Sequence, residues 1–155
     1  MVLDIALQVE RLLKQDRLDA VLTRRTDEYV PIPKRTEIAN DARATLFVSI
    51  HANWCPREEV NGFEIYYAEN GREKEGLSAA RCIQQSLKRD VQAKDRGVRK
   101  RSYAVLSRTK CPSVLVEVGY LSNAREMSLL SEPAYRRKVA GAIARGIIAY
   151  TRGTR

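Results

Sequence analysis

Leu46-Phe47-Val48-Ser49-Ile50-His51 and Ser113-Val114-Leu115-Val116-Glu117 are the stretches that decide the fold. Each is a short run rich in Val, Ile, Leu and Phe that ends in an ionisable side chain. Runs of this kind, bounded by turn residues, read as buried strands of an α/β sheet. An ionised carboxylate in such surroundings is costly unless it is paired, protonated or close to a cation. In open α/β sheets the carboxyl ends of strands border the ligand crevice. His51, the only histidine of the chain, and Glu117 therefore point to a metal ligand with a carboxylate beside it. Taken alone, the two residues fit a hydrogen-bonded core histidine and a salt-bridged glutamate at least as well, since structural ion pairs also sit at strand ends.

Outward from these runs, strand and helix patterns alternate. Leu3, Ile5, Ala6, Val9, Leu12 and Leu13 recur at helical spacing almost from the first residue, with no capping residue before them. A strand would ordinarily feed the first helix of an α/β domain. Ala20–Arg24 reads as a short strand. Pro31 and Pro33 punctuate a loop before a helix over about Lys34–Ala44. After Asn61-Gly62, Phe63–Tyr67 alternates like a half-exposed strand. Gly71–Val91 carries a helical apolar stripe, Tyr103–Leu106 reads as a short strand, Glu126–Leu130 as a short helix and Tyr135–Tyr150 as a final amphipathic helix. The expected fold class is α/β, a three-layer sandwich whose mixed, partly parallel sheet is flanked by helices.

With 155 residues and no linker-like or repetitive segment, residues 1–155 read as a single domain able to bury a substantial core. A formal charge of +9 favours acidic partners, but the basic residues are scattered and no RNA-binding or zinc-finger spacing accompanies them. Solvated faces account for most of them, and no nucleic acid is expected as partner. Cys55, Cys82 and Cys111 form no CxxC pair and no disulfide scaffold. Cys55 lies four residues beyond His51 and could join it on a metal, though a free apolar thiol is the simpler reading. The opening Met1-Val2-Leu3-Asp4 lacks the basic stretch and apolar core of an export signal. No run reaches the length of a membrane span. If the protein is exported, the instruction is expected outside this chain.

Beyond pattern, Leu22-Thr23-Arg24, Asp27, Val30-Pro31, Arg35-Thr36, Ile38-Ala39-Asn40 and Leu46 through Asn53 resemble, in that order, the zinc-dependent N-acetylmuramoyl-L-alanine amidases (amidase type 3) of bacterial cell-wall turnover. So do Gly62-Phe63-Glu64-Ile65-Tyr66-Tyr67, Asp95-Arg96-Gly97-Val98, Tyr103–Leu106 and Pro112 through Asn123. Even Leu3-Asp4-Ile5-Ala6 is similar to the start of that family's first helix. The resemblance implies a peptidoglycan hydrolase that cuts the amide between N-acetylmuramic acid and the L-alanine of the stem peptide. It implies Zn2+ as cofactor, with His51 as one ligand and Glu117 as general base. A catalytic zinc keeps an open position for water, lowers its pKa and polarises the scissile carbonyl. A neighbouring carboxylate can carry the water's proton to the departing amine.

The resemblance also shows what differs. Two further zinc ligands of the family, a histidine ending a first strand and a glutamate before the first helix, would precede Met1. The chain thus reads as N-terminally truncated relative to the family, and Asp4 and Glu10, which align inside the helix, are poor substitutes. Ser107 stands where the family often has arginine, and Trp54 where a small residue is usual. Two functional expectations follow: an amidase with peptidoglycan as substrate, or a catalytically weak peptidoglycan-binding module. Either implies a periplasmic or extracellular setting in the cell envelope, with regulatory or wall-anchoring domains outside this chain.

Overall fold

The strand Ser113–Tyr120 is buried at every position, and the sheet is organised around it. The computed structural model describes residues 1–153. In chain order the elements are α1 (Val2–Gln15), α2 (Ile32–Asp41), β1 (Phe47–Asn53), β2 (Phe63–Tyr67), α3 (Glu73–Asp90), β3 (Asp95–Lys100), α4 (Ala104–Ser107), β4 (Ser113–Tyr120), α5 (Ala124–Ser131) and α6 (Pro133–Gly153). The strands lie in the order β1-β4-β2-β3. β1 runs parallel to β4 and β2 parallel to β3, while β2 and β4 are antiparallel. The sheet is therefore mixed, as expected.

Side chains alternate across a strand, and the two faces carry different cores. Val114, Val116 and Val118 join Phe63 and Ile65 in the larger one, packed against Ile5 and Val9 of α1, Ile83 and Leu87 of α3, and Val139 and Ile143 of α6. Phe47, Leu115 and Tyr66 face the other way, against Ala39 of α2 and Val105 and Leu106 of α4. Helices thus cover both faces, which makes three layers. On the larger side α3 and α6 approach backbone to backbone: a Cβ on Gly146 would stand 2.4 Å from the Ile83 Cα.

Three sequence expectations change. Ala20–Arg24 forms no strand. β1 is one edge of the sheet, β3 being the other, and a cleft of about 590 Å3 separates Leu46–His51 from Leu18–Arg24, floored by Leu3, Ala6 and Val9 of α1. With no neighbour in reach, an extended segment cannot enter the ladder. Tyr103–Leu106 is helical rather than extended: Leu106 and Ser107 both donate backbone N–H groups to Tyr103 O. Phe63–Tyr67 is buried on both faces from Phe63 to Tyr66, because it lies between β4 and β3 rather than at an exposed edge. The helices at Lys34–Ala44, Gly71–Val91, Glu126–Leu130 and Tyr135–Tyr150 are present with shifted ends.

Candidate active site

His51 and Glu117 are register partners across the parallel β1–β4 pair, and Glu117 stands opposite Glu64 across the antiparallel β4–β2 pair. Paired residues point to the same side of a sheet, so the three form a row across neighbouring strands on the face that carries α2 and α4. Accessibility falls along the row. His51 is half-buried, Glu117 is 9% exposed and Glu64 2%.

Each member of the row has its own electrostatics. Burial, reinforced by the positive charge of Arg35, holds the His51 imidazole below its ordinary pKa. It is therefore neutral near pH 7 and keeps a lone pair for a metal. Its Nε2 lies 2.8 Å from Ser49 Oγ. Burial, and next to it the Glu64 charge, push Glu117 up to about 7, where a carboxyl group can both accept and return a proton. Glu117 Oε2 is buried with no hydrogen-bond partner among the described residues, an arrangement that native structures avoid unless the atom serves something else.

Glu64 has ionic partners that Glu117 lacks, while its Oε2 and Arg96 Nε are, like Glu117 Oε2, buried without a hydrogen bond among the described residues. Its Oε2 faces Arg96 Nε at 3.8 Å and Arg99 Nη1 at 3.6 Å. The Tyr120 hydroxyl donates to Oε1 at 2.5 Å. Arg96 also lies over the Tyr120 ring, 5.4 Å from its centroid. Burial and the bond to Glu64 push Tyr120 up to about 12, and Tyr66 is raised by the same two causes. Both phenols are thus fixed as donors. One carboxylate is clamped by cations and hydroxyls, and its neighbour is left to titrate.

The rim is held by another acid. Glu126 accepts from Gly62 N at 2.8 Å and Tyr120 N at 2.7 Å, tying the β1–β2 loop to the end of β4. Gly62 is needed there, with φ +106° and Lys94 O only 2.2 Å from where a Cβ would stand. Asn123 caps α5 through its own side chain, accepting from Glu126 N at 3.1 Å.

The structure brings His51 and Glu117 together from opposite halves of the chain. It does not bring Cys55 to them as a third donor: Cys55 is a free thiol whose N–H bonds Ser122 Oγ at 3.0 Å. Asp4 is held by Arg136, and Glu10 by Lys14 and Arg25. Ser107 ends α4. Sequence reasoning did not single out Glu64 or Glu126. Glu64 carries the same signature as Glu117, a carboxylate inside an apolar run, and could have been found by it. Glu126 sits in a polar helix start that gives no such signal.

A zinc site can be tested against these donors. A catalytic zinc takes three protein ligands, and the described residues contain no cluster of three or more His, Cys, Asp or Glu placed to hold a metal. His51 and the unpartnered oxygen of Glu117 suit one side of such a site, but the described donors do not complete it.

Comparison with known proteins identifies the family. Residues 1–149 match the family described as N-acetylmuramoyl-L-alanine amidase. The chain is 36% identical over 150 residues to the N-acetylmuramoyl-L-alanine amidase LytC of Bacillus subtilis, covering 97% of this chain but only 30% of LytC. Among solved structures it is similar to the amidase AmiC2 of Nostoc punctiforme, with 38% identity, a TM-score of 0.91, and coverage of 97% of this chain and 82% of that one. It is also similar to the CwlD amidase of Clostridioides difficile, solved in complex with the GerS lipoprotein: 30% identity, a TM-score of 0.91, and coverage of 97% and 84%. In sequence and in fold alike, this chain belongs to the N-acetylmuramoyl-L-alanine amidase family.

Proposed function

We propose that this domain hydrolyses the amide between the lactyl group of N-acetylmuramic acid and the L-alanine of the peptidoglycan stem peptide. The observation that carries the reading is the His51–Glu117 pair, side by side in register, with a Glu117 oxygen buried and unpartnered. Glu117 is the general base: it takes a proton from the attacking water and returns it to the departing amine of L-alanine. Burial, with the charge of Glu64 next to it, keeps Glu117 ready to hold that proton, and Glu64 itself faces Arg96 and Arg99. His51 is one ligand of a zinc ion, which when bound would polarise the scissile carbonyl and acidify the water. The cleft between Leu18–Arg24 and β1 opens beside His51. We place the reaction in the cell envelope. Partners that anchor or regulate the domain belong to the proposal too, CwlD with GerS being the precedent.

The shortage of donors favours a second reading, a peptidoglycan-binding domain without turnover. One experiment separates the two. Purified chain and Glu117→Gln are incubated with muropeptides and zinc, new L-alanine amino termini are counted, and retention on insoluble peptidoglycan is measured in parallel. Cleavage that Glu117→Gln lacks supports the hydrolase. Retention without cleavage by either protein supports the binding domain, and absence of both overturns the two readings together.

A further inference from the structure

We propose that Arg99 binds a carboxylate of the departing stem peptide, the one on the residue that follows L-alanine; the inference rests on the peptidoglycan reading above. A bulge puts the side chain in place. Phe63 pairs with Asp95 and Ile65 with Val98, so Glu64 alone on β2 stands against both Arg96 and Gly97 on β3. In a regular strand residues three apart point to opposite faces, but the extra residue brings Arg96 and Arg99 to the same one. Gly97 permits this: its φ is +93°, and a Cβ there would meet nothing within 4 Å, so conformation rather than space requires the glycine.

Both guanidinium groups face Glu64 Oε2, Arg96 from 3.8 Å and Arg99 from 3.6 Å. Glu64 is the register partner of Glu117, so Arg99 lies on the face of the row, at the end away from His51. The two arginines are not equivalent. The Arg96 side chain is 22% exposed, lies over the Tyr120 ring and donates to Asn61 O at 3.4 Å. That of Arg99 is 50% exposed, and its Nη2 reaches Arg96 O only at 3.5 Å. Lys100, next along β3, is paired with Glu69 at 3.0 Å. Two cations thus share one buried carboxylate, and the outer one keeps its fork open to solvent. A two-point pair with a carboxylate is what that fork makes best.

Direction selects the ligand. In the proposed reaction Glu117 returns a proton to the departing amine, which sets the amine on the Glu117 side of His51 and sends the peptide along the row toward β3. One strand lies between β4 and β3, a span of about 10 Å that Arg99 shortens by reaching back to Glu64. Two residues of extended chain cover about 7 Å. The free carboxylate of the acidic residue after L-alanine therefore comes within reach of the guanidinium.

The test compares two muropeptides, one with that carboxylate free and one with it converted to the amide. With a chelator present to prevent turnover, each is titrated calorimetrically into wild type, Arg99→Gln and Arg99→Lys, with urea midpoints confirming that all three fold. We expect the wild type to bind the free acid about tenfold more tightly than the amide, Arg99→Gln to bind the two alike, and Arg99→Lys to recover part of the preference. A wild type without preference for the free acid, or an Arg99→Gln variant that keeps it, overturns the role of Arg99 and leaves the proposed function standing. Failure of the wild type to bind either muropeptide overturns both.

Discussion

Glu117 holds its proton up to about 7, against an ordinary value near 4.5. The unfolded chain ionises this group at the ordinary value. Between the two values the native state therefore binds a proton that the unfolded state has lost, and stability falls as pH rises through that window. Glu117→Gln removes the penalty. In the presence of a chelator the variant should be more stable than wild type at about pH 8, by on the order of 2–3 kcal/mol, with the gap closing toward about pH 4. Urea midpoints at the two pH values check this, and a gap of constant size across them contradicts the burial account. The residue scale also shows where the sequence was readable. His51 and Glu117 announce themselves as ionisable ends of apolar runs. The clamp that distinguishes Glu64 from Glu117 does not, because Arg96 and Arg99 reach it from a strand more than thirty residues further on.

Elements were legible where their own residues settle the matter. β1 and β4 are dense apolar runs that only a covered sheet accommodates, and α1, α3 and α6 carry helical stripes. Ala20–Arg24 has the composition of a strand, but a strand also needs a neighbour, which no local pattern encodes; the cleft beside β1 leaves it without one. Tyr103–Leu106 spans too few residues for a period of two to be told from a helical turn. The α3–α6 contact was equally invisible, since Gly146 shows its purpose only once Ile83 lies beneath it. Gly146→Ala should force the two backbones apart, costing about 3 kcal/mol or more, above the usual range for an inserted methyl because the obstacle is main chain. A urea midpoint within error of wild type would mean that the helices separate freely.

At the scale of the molecule, the cleft between Leu18–Arg24 and β1 leaves one edge of the sheet unpaired. Unpaired edges invite strand addition from another chain, so sedimentation velocity should show association that grows with concentration. The same gap limits the metal. With His51 as the donor at hand and no cluster of three among the described residues, zinc should bind weakly, since incomplete ligand sets forfeit most of the affinity. Calorimetric titration checks this, and tight one-to-one binding would show that substitute ligands exist. The strand order has a consequence for synthesis. β4 stands between β1 and β2 in the sheet but follows both in the chain. A nascent or proteolysed polypeptide ending before Ser113 contains His51 and Glu64 but lacks both Glu117 and the strand that joins theirs. The row of His51, Glu117 and Glu64 comes into being only when the last strand is inserted.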